Sequence, residues 1–269
     1  MNLELDGKVA LVTGSSSGIG AAIARLLSQE GATVIVHGRN TDRTEAVAAD
    51  LRSAGARAMA IVGDLSSDLS ASNVANAAIE AFGRIDILVN NAGGSSGRAD
   101  PSWFSTDTVD WIDTYQANVL AAVRLIRVLV PVMRERGWGR IINIATGAAI
   151  TPTSAQPDYA AAKAAMLNMS LSLSKALGRS GVTSNTISPG MIRTKGLRSF
   201  LTQFAAKRGW GNDIARAEEY VANGSGQTVS RIGEADDIAF AVAMIASPRS
   251  DFVNGTNYHV DGGITPSLT

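Results

Sequence analysis

The amino-acid sequence predicts an α/β fold: a doubly wound, mostly parallel seven-stranded sheet with helices on both faces. Short apolar runs of strand length alternate with longer segments of helical periodicity, which is typical of sheets built from β-α-β units. The chain has 269 residues, 45% of them hydrophobic, enough for one substantial core. We therefore expect residues 1–269 to form a single domain, since neither a linker nor an internal repeat is visible.

The composition excludes several classes of function. The 24 Lys and Arg residues balance the 24 Asp and Glu residues, so nucleic acid is not an expected partner. The sequence begins without a signal-peptide pattern, and no stretch approaches about eighteen uncharged apolar residues, so no membrane span is expected. There is no Cys, and the two histidines, His37 and His259, are far apart in sequence. We therefore expect no metal site and a cytoplasmic location.

The first strand, predicted at Lys8–Thr13, leads into a Gly-rich turn at Gly14–Gly20. Apolar residues then recur at helical spacing from Ala21 to Glu30. A strand, a Gly-rich turn and a helix in this order allow backbone amides at the helix N-terminus to bind a phosphate. A tight turn without a ligand is the alternative.

The second strand, Thr33–His37, ends at Gly38 and Arg39. In a dinucleotide-binding fold this strand end faces the adenosine ribose, where an acidic residue binds the 2′-hydroxyl of NAD. Here Gly38 leaves room and the guanidinium of Arg39 suits a 2′-phosphate. This favours NADP, with NAD still possible, although Arg39 could instead be an ordinary solvated charge.

The alternation continues to a polar turn, Asn90–Gly93, at the end of the fourth strand. Ligands bind at the carboxyl ends of strands in such sheets, but the Asn pair could equally stabilise a β-turn. The elements predicted before this turn are helix Asp42–Ala54, strand Ala58–Gly63, helix Ser70–Phe82 and strand Ile85–Val89.

A long helix is predicted next, over about 108–136, interrupted only by Pro131. Its interior contains Asn118, which is mildly unfavourable in a helix. The side chain could simply be exposed, or it could organise a water beside an active site. A fifth strand, Arg140–Thr146, follows.

The run from Tyr159 to Lys163 is rich in Ala and is predicted to be helical. Residues at i and i+4 share a helix face, so the Tyr159 hydroxyl and the Lys163 ammonium can approach a common point. A nearby positive charge favours the phenolate, so we expect a lowered pKa for Tyr159 and a role in acid/base chemistry. The alternative is a chance pair of surface residues.

The C-terminal third completes the alternation but contains the least regular segment. The helix carrying Tyr159 is predicted to end near Leu177. The remaining predicted elements are strand Val182–Ser188, a turn at Pro189–Thr194, an irregular stretch at Lys195–Gln227, helix Ile238–Ser247 and a last strand at Asn257–Val260.

Four strings occur in order along the chain: Thr13-Gly14-x-x-x-Gly18-Ile19-Gly20, Asn90-Asn91-Ala92-Gly93, Tyr159-x-x-x-Lys163 and Pro189-Gly190. With this set the sequence resembles the short-chain dehydrogenase/reductase family, from Lys8 to Gly263. The resemblance implies a Rossmann-fold, NAD(P)-dependent oxidoreductase acting on a carbonyl or alcohol. It also implies a homotetramer or homodimer, assembled through the Asn118 and Tyr159 helices.

The resemblance also implies residue roles. Tyr159 would exchange a proton with the substrate oxygen, and Lys163 would bind the nicotinamide ribose and lower the pKa of Tyr159. Asn118 would hold a water linked to Lys163. The implied cofactor-binding residues are Gly14, Ser16, Ser17, Gly18, Ile19 and Gly20 at the pyrophosphate, Arg39 at the 2′-phosphate, Asp64 and Leu65 at the adenine, Asn91, Ala92 and Gly93 at the adenosine and ribose region, and Tyr159, Lys163, Pro189, Gly190, Ile192 and Thr194 around the nicotinamide.

Thr146 departs from the family pattern, which has Ser at the position that hydrogen-bonds the substrate oxygen. Thr keeps the hydroxyl donor but adds a methyl group and restricts χ1. We carry the catalytic role over to Thr146. The methyl could narrow the pocket or signal weakened catalysis.

These observations predict an NADP(H)-dependent oxidoreductase. The alternatives are a non-catalytic dinucleotide sensor or scaffold on the same fold, and an NAD-dependent alcohol dehydrogenase. The substrate pocket is expected to be formed by the loops after Gly93 (Gly94–Trp103) and Thr146 and by a lid around 195–227. Its apolar wall could come from Trp103, Phe104, Phe200, Phe204 and Trp210, each of which could equally be simple packing.

Overall fold

The structure is a computed structural model that describes residues 2–95 and 102–266. Over these residues seven strands form one sheet in the order β3-β2-β1-β4-β5-β6-β7, and every neighbouring pair is parallel. The predicted doubly wound α/β fold is confirmed. The strands are β1 Val9–Val12, β2 Thr33–Gly38, β3 Ala58–Val62, β4 Ile87–Asn90, β5 Gly139–Ile144, β6 Val182–Pro189 and β7 Asn257–Val260.

The helices connect the strands in chain order. They are α1 Gly18–Gln29, α2 Thr41–Ser53, α3 Asp68–Phe82, α4 Thr108–Tyr115, α5 Ala121–Glu135, α6 Pro157–Leu177, α7 Lys195–Lys207, α8 Ile214–Gly224 and α9 Ala235–Ala246. Polar caps explain several of the helix starts, because they bond amides that have no partner inside the helix. Asn40 accepts a hydrogen bond from the amide of Arg43 at 2.9 Å, and Ser67 forms a capping box with Ser70.

Helices cover both faces of the sheet, so the central strands β1, β2, β4, β5 and β6 are buried along their whole length. On one face, Ala10 and Val12 of β1 pack in a cluster with α1, α2 and α9; on the other, Val9 and Leu11 pack with α3, α5 and the end of α6. This two-residue alternation places the core on both sides of every central strand. The carboxyl ends of the strands lie at one edge, and the strand order reverses between β1 and β4.

The long helix predicted over 108–136 is continuous, but its irregularity lies elsewhere than expected. Gln116–Leu120 adopts π-helical geometry between α4 and α5, while Pro131 lies inside α5 without ending it. The predicted interruption at Pro131 is therefore wrong. At Asn118, the side-chain amide donates to the carbonyl oxygen of Thr114 at 2.8 Å, the carbonyl that a regular α-helical turn would pair with the Asn118 backbone amide.

The stretch predicted to be irregular, 195–227, contains two packed helices. Leu201 and Ala205 of α7 are buried against Ala217 of α8. Phe204, Trp210 and Tyr220 form ring contacts with centroids 5.5 to 6.0 Å apart. Aromatic packing of this kind stabilises the helical hairpin. The sequence did not predict this hairpin because its periodic segments are short and are interrupted by glycines.

Within the described residues, no cluster of His, Cys, Asp and Glu could hold a metal ion. One helical segment of these residues, Thr108–Glu135, is apolar and long enough to cross a membrane by length and composition alone. Its α5 part buries Leu125, Leu129 and Met133 in the core against the sheet, and a core helix passes the same test.

Candidate active site

The Gly-rich turn after β1 is built by close backbone contacts that only glycine permits. A Cβ on Gly14, which has φ +65°, would lie 2.9 Å from the Cα of Ala92, and one on Gly20 would lie 2.6 Å from the carbonyl oxygen of Gly14. Ser17 precedes α1 in extended conformation, and its side chain makes no capping hydrogen bond within the described structure. The amides at the start of α1 therefore suit an anion.

The turn is held by hydrogen bonds between the ends of β1 and β4 that the sequence did not indicate. The amides of Asn91 and Ala92 both donate to Thr13 Oγ1, at 3.0 and 2.9 Å. Asn91 Nδ2 donates to the carbonyl oxygen of Thr13 at 2.9 Å and more weakly to that of Gly14 at 3.2 Å. Asn91 thus joins the ends of β1 and β4 through its side chain.

His37, for which the sequence predicted no role at the site, also contacts this turn. It is 2% exposed, and its Nδ1 accepts a hydrogen bond from the amide of Gly14 at 3.3 Å. Burial lowers the pKa of His37 to about 4, so the ring is neutral near pH 7. The neighbouring Ser15 is fully buried between the two strand ends, where it donates to Val12 and accepts from the His37 amide. Only the three-dimensional contact between the ends of β1 and β2 shows this role.

A cavity of about 510 Å³ lies beside these strand ends and contains the predicted adenosine side of the site. Arg39 lines it together with Arg43, which was not predicted. Asn40 caps α2 by accepting a hydrogen bond from the amide of Arg43, which places Arg43 in the first turn of this helix. The sequence signal that could have indicated Arg43 is an Asn three residues before it, at the start of the helix. The other predicted residues in this lining are Gly14, Ser16, Ser17, Asp64, Leu65, Ala92 and Gly93.

Asp64 is held in place by its own loop. Its carboxylate accepts hydrogen bonds from the Ser66 hydroxyl and from the Leu65 amide. These hydrogen bonds, that of Ser66 above all, keep the pKa of Asp64 below its ordinary value, with a smaller contribution from the charge of Arg39. The carboxylate is therefore ionised and orients the loop after β3 toward the cavity.

A second cavity, of about 220 Å³, adjoins the first at Gly93. Thr146, Tyr159 and Lys163 all line it, so three of the four predicted catalytic residues meet in one place. The two cavities run along the carboxyl edge of the sheet at the point where the strand order reverses, as expected for an open α/β sheet. The other predicted residues that line the second cavity are Ile19, Asn91, Gly93, Pro189, Gly190, Ile192 and Thr194.

Tyr159 and Lys163 lie on one face of α6, with Lys163 Nζ 5.7 Å from the centroid of the Tyr159 ring. Lys163 is 3% exposed, and its ammonium donates to the carbonyl oxygen of Ile144 at 2.7 Å. Burial lowers the pKa of Lys163 to about 8 and raises the pKa of Tyr159 to about 12. The expectation of a lowered tyrosine pKa is therefore wrong for this structure, because burial removes solvent from around the phenol and disfavours the phenolate.

Thr146 follows β5 in extended backbone conformation and begins the short 3-10 turn Gly147–Ala149. Its hydroxyl oxygen accepts a long hydrogen bond of 3.4 Å from the amide of Ala148. The hydroxyl proton remains available for donation to another group. Thr146 can therefore act as a second donor beside Tyr159.

Asn118 does not line either cavity but contacts the wall of the second one. Its Nδ2 donates to the carbonyl oxygen of Gly94 at 2.8 Å, and its Oδ1 accepts from the Gly94 amide at 3.1 Å. The side chain is fully buried, so the alternative of an exposed Asn118 is wrong. A Cβ on Gly93 would lie 2.4 Å from Asn118 Oδ1 and 3.5 Å from Lys163 Nζ.

The turn after β6 is fixed by backbone contacts to the last residue of β7 and to Asp261, which follows it. The amide of Gly190 donates to the carbonyl oxygen of Val260 at 3.0 Å, and a Cβ on Gly190 would lie 2.6 Å from the Cα of Asp261. Thr194 caps α7 by accepting from the amide of Leu197 at 3.2 Å. The predicted residues of this turn are thereby placed beside the second cavity.

None of the aromatic residues predicted for a substrate wall lines these two cavities within the described residues. Trp103 contacts Trp111, and both line a separate cavity of about 620 Å³ between α4 and α6. Phe104 is fully exposed. Phe200, Phe204 and Trp210 belong to the aromatic contacts of the α7–α8 hairpin. Residues 96–101 of the predicted loop Gly94–Trp103 lie outside the described residues.

Comparison with known proteins identifies the family. A family model described as short chain dehydrogenase matches residues 8–203. The chain belongs to the short-chain dehydrogenase/reductase family. The resemblance found in the sequence is therefore confirmed.

Relatives within the short-chain dehydrogenase/reductase family cover the whole chain. L-sorbose reductase from Gluconobacter frateurii, solved with NADPH and L-sorbose, is 33% identical, with a TM-score of 0.94 and 100% coverage of both chains. The uncharacterized oxidoreductase YvaG of Bacillus subtilis is 34% identical over 100% of both chains. The 7alpha-hydroxysteroid dehydrogenase of Escherichia coli K12 is 32% identical over 97% of this chain and 96% of its own length. A sugar and a steroid thus appear among the names of comparably similar relatives.

Proposed function

We propose that this protein is an NADP(H)-dependent oxidoreductase that transfers a hydride between nicotinamide and a carbonyl or secondary alcohol, with Tyr159 as the general acid/base. The observation that carries the proposal is the convergence of Thr146, Tyr159 and Lys163 on one cavity, which joins the adenosine-side cavity at Gly93. A dinucleotide is the kind of molecule that spans two such cavities at the switch point of a parallel sheet.

NADP is the cofactor that the residues fit. The backbone cradle at Gly14 and Gly20 would be filled by any side chain, which is what a closely approached pyrophosphate requires. Arg39 and Arg43 line the adenosine side, and their guanidinium groups would hold a 2′-phosphate. NADPH in the solved L-sorbose reductase agrees with this cofactor, and NAD remains possible within the family.

The individual roles are those that the family resemblance implies. We assign Pro189, Gly190, Ile192 and Thr194 to the nicotinamide, with Lys163 at its ribose. The remaining assignments are Gly14, Ser16, Ser17, Gly18, Ile19 and Gly20 to the pyrophosphate, Arg39 to the 2′-phosphate, Asp64 and Leu65 to the adenine, and Asn91, Ala92 and Gly93 to the adenosine and ribose region.

The cofactor supplies the hydride, and the chain's residues handle the proton. The raised pKa of Tyr159, about 12, keeps the phenol protonated near pH 7, so it can donate to a carbonyl oxygen as negative charge develops there. The Thr146 hydroxyl would donate to the same oxygen. Two donors aimed at one oxygen stabilise the alkoxide-like charge of the transition state.

Asn118 takes a different role from the one that the family pattern implies for its side chain. Its amide is engaged by the backbone of Gly94 and by Thr114, so we assign the side chain to holding the cavity wall. A water linking Lys163 to solvent would have to be bound by other atoms of this turn.

We also propose that the chain works as one NAD(P)-binding domain with residues 195–227 as a lid. Arg193 forms ion pairs with Glu218 of α8 and with Glu234, just before α9, which couples the turn beside the nicotinamide to the hairpin. Mobile segments beside an active site close over substrates in many enzymes. Exchange of the hairpin amides in the presence and absence of NADPH would test this role.

We further propose that the protein forms a homodimer or a homotetramer and is located in the cytoplasm. Val109 and Ile112 of α4 are 62% and 58% exposed, and Leu171 of α6 is 46% exposed. Apolar side chains exposed on adjacent helices are suited to an interface. Sedimentation of the purified protein would measure the oligomeric state.

The test of the function is a screen of ketones and alcohols followed by nicotinamide absorbance, with NADPH and NADH side by side. Tyr159→Phe should abolish turnover and leave NADPH binding, measured by its fluorescence, nearly unchanged. Tyr115→Phe is the matched control, because Tyr115 is exposed on α4. Full activity of Tyr159→Phe would refute the assignment.

A non-catalytic dinucleotide sensor is the second candidate, and the observation that favours it is Thr146 in place of Ser. Its methyl group restricts the hydroxyl to fewer orientations. NADPH binding without turnover across the whole panel would support the sensor. If the protein oxidises NADH at least as efficiently as NADPH, the NAD-dependent dehydrogenase is favoured instead.

A further inference from the structure

A buried carboxylate immediately precedes Tyr159. Asp158 lies in the first turn of α6 and is 2% exposed. Its Oδ2 accepts a hydrogen bond of 2.6 Å from the hydroxyl of Thr114 on α4, and its Oδ1 has no partner among the described residues. Burying a carboxyl group costs free energy unless hydrogen bonds compensate. Because Asp158 has a single hydrogen bond, between the two helices, packing alone does not explain why a carboxyl group is buried here.

The bond from Asp158 continues into a chain that reaches the cavity. The carbonyl oxygen of Thr114 accepts from Asn118 Nδ2 at 2.8 Å, and Asn118 in turn pairs with both backbone groups of Gly94 at 2.8 and 3.1 Å. Thr114 is 2% exposed and Asn118 is fully buried. The chain thus connects the first turn of α6, through the π-helical segment, to the loop after β4 without passing through solvent.

Both ends of this chain lie at the proposed reaction site. Tyr159 follows Asp158 directly, and Gly93 and Gly94 line the same cavity as Tyr159 and Lys163. The position of a Cβ on Gly93 would be 3.5 Å from Lys163 Nζ. The chain of hydrogen bonds therefore links the helix that carries Tyr159 and Lys163 to a wall of the cavity that both residues line.

We propose that Asp158 is a positioning residue: through Thr114 and Asn118 it holds the Tyr159 turn of α6 against the Gly93–Gly94 wall. The inference rests on the proposed function for its effect on turnover, but the coupling itself can be measured without turnover. The hydrogen bond, rather than the charge, carries the effect. A displacement of about 1 Å in such a turn is enough to slow a reaction strongly.

The kinetic test compares variants that keep or remove the bond. With the best substrate of the carbonyl panel, Asp158→Ala and Thr114→Val should each lower kcat about tenfold, with the Kd for NADPH changed less than about twofold. Asp158→Asn and Thr114→Ser, which keep an acceptor and a donor, should retain kcat within about threefold. The double variant Asp158→Ala/Thr114→Val should lose no more than either single variant, because the two residues act through one bond.

Asp236→Ala is the matched control, since Asp236 is an exposed acidic residue in the first turn of α9. It should change none of these values. Equal losses for Asp158→Asn and Asp158→Ala, or additive losses in the double variant, would overturn the proposal. So would a fall in kcat matched by an equal loss of NADPH affinity, which indicates a general loss of structure.

The second test uses hydrogen exchange of the full chain with NADPH and needs no substrate. Asp158→Ala and Thr114→Val should speed exchange in segments 91–95 and 157–163 together, whereas Asp158→Asn should not. If the wild-type protein binds NADPH but turns over nothing, the proposed function fails while this coupling is still decided. Faster exchange in 157–163 alone would refute the coupling to the cavity wall.

Discussion

The backbone amide of Gly14 donates a hydrogen bond to His37 Nδ1, 3.3 Å away. The first glycine of the Gly-rich turn therefore uses its own amide in a hydrogen bond to the neighbouring strand β2. The amides that remain for an anion are those around the start of α1 at Gly18. His37 thus shapes the turn without belonging to the family motif.

The neutral state of His37 predicts an acid-dependent stability. Burial lowers the pKa of His37 to about 4, below its value near 6.5 in an unfolded chain. Between these two values the unfolded chain binds a proton that the folded chain excludes. The free energy of unfolding should therefore fall by about 3 kcal/mol in this range as the pH is lowered. Urea unfolding at about pH 7 and about pH 5 measures most of this change.

His37→Asn should remove most of that slope, because an Asn oxygen can still accept from the Gly14 amide but does not titrate. His259→Asn is the control, since His259 is only partly buried. Identical slopes in wild type and His37→Asn would show that other groups cause the acid sensitivity.

The proposed preference for NADPH over NADH should depend on the two arginines that line the adenosine-side cavity, Arg39 and Arg43. Arg39→Ala should weaken NADPH binding about tenfold and leave NADH binding nearly unchanged, because a charge-assisted hydrogen bond to the 2′-phosphate is lost. Arg43→Ala should act in the same direction. Fluorescence titrations with both cofactors measure the ratio of the two dissociation constants.

Arg57→Ala serves as the control for this pair, since Arg57 is exposed before the start of β3, at the opposite edge of the sheet. Its effect should not depend on the cofactor. If Arg39→Ala weakens the binding of NADPH and of NADH equally, Arg39 contacts a part of the cofactor that both molecules share.

Much of the site was visible in the sequence because it follows from local chain geometry. The Gly14–Gly20 turn, the Asn90–Gly93 turn and the Tyr159–Lys163 pair are each short strings at strand ends or on one helix face. A parallel sheet then brings these ends together at one edge, so many of the cavity residues could be predicted from the sequence.

The remaining features depend on contacts between distant segments. His37 meets Gly14 only when β1 and β2 pair, and the π-helical turn depends on the bonds of Asn118 to Gly94 and Thr114. The pKa of Tyr159 rises because of burial, a quantity that the i, i+4 spacing does not reveal. The α7–α8 hairpin escaped prediction because its core forms between two short helices.

Thr146 is predicted to contribute to catalysis through its hydroxyl group alone. Thr146→Ala should lower kcat about a hundredfold, the usual cost of removing one donor to a developing oxyanion. Thr146→Ser should keep or raise activity, because the donor remains and the methyl group is removed. Steady-state kinetics with the best substrate of the panel measures both.

Thr151→Ala is the matched control: Thr151 donates to the carbonyl oxygen of Gly147 at 3.2 Å in the same loop but does not line the cavity of Tyr159. Similar losses for Thr146→Ala and Thr151→Ala would mean that the loop, and not the Thr146 donor, matters.

Stability at the amino edge of the sheet should depend on Asp86. This carboxylate is 4% exposed and accepts from the amide of Val9 at 2.9 Å, from Arg84 at 3.0 Å and from Arg136 at 3.1 Å. Asp86→Ala should lower the free energy of unfolding by about 2–4 kcal/mol, because the amide loses its acceptor and a buried ion pair is broken. The arginines are partly exposed and can regain water, which limits the loss.

Asp86→Asn should cost less than Asp86→Ala, since one acceptor oxygen remains for the Val9 amide, and the exposed Asp50→Ala should cost almost nothing. Because Asp86 precedes β4 at the edge opposite the Gly93 turn, NADPH affinity at a temperature well below unfolding should stay unchanged in all three variants. Urea unfolding and NADPH fluorescence measure the two quantities separately. A loss of NADPH affinity in Asp86→Ala at that temperature would show that the two edges of the sheet are coupled, contrary to this prediction.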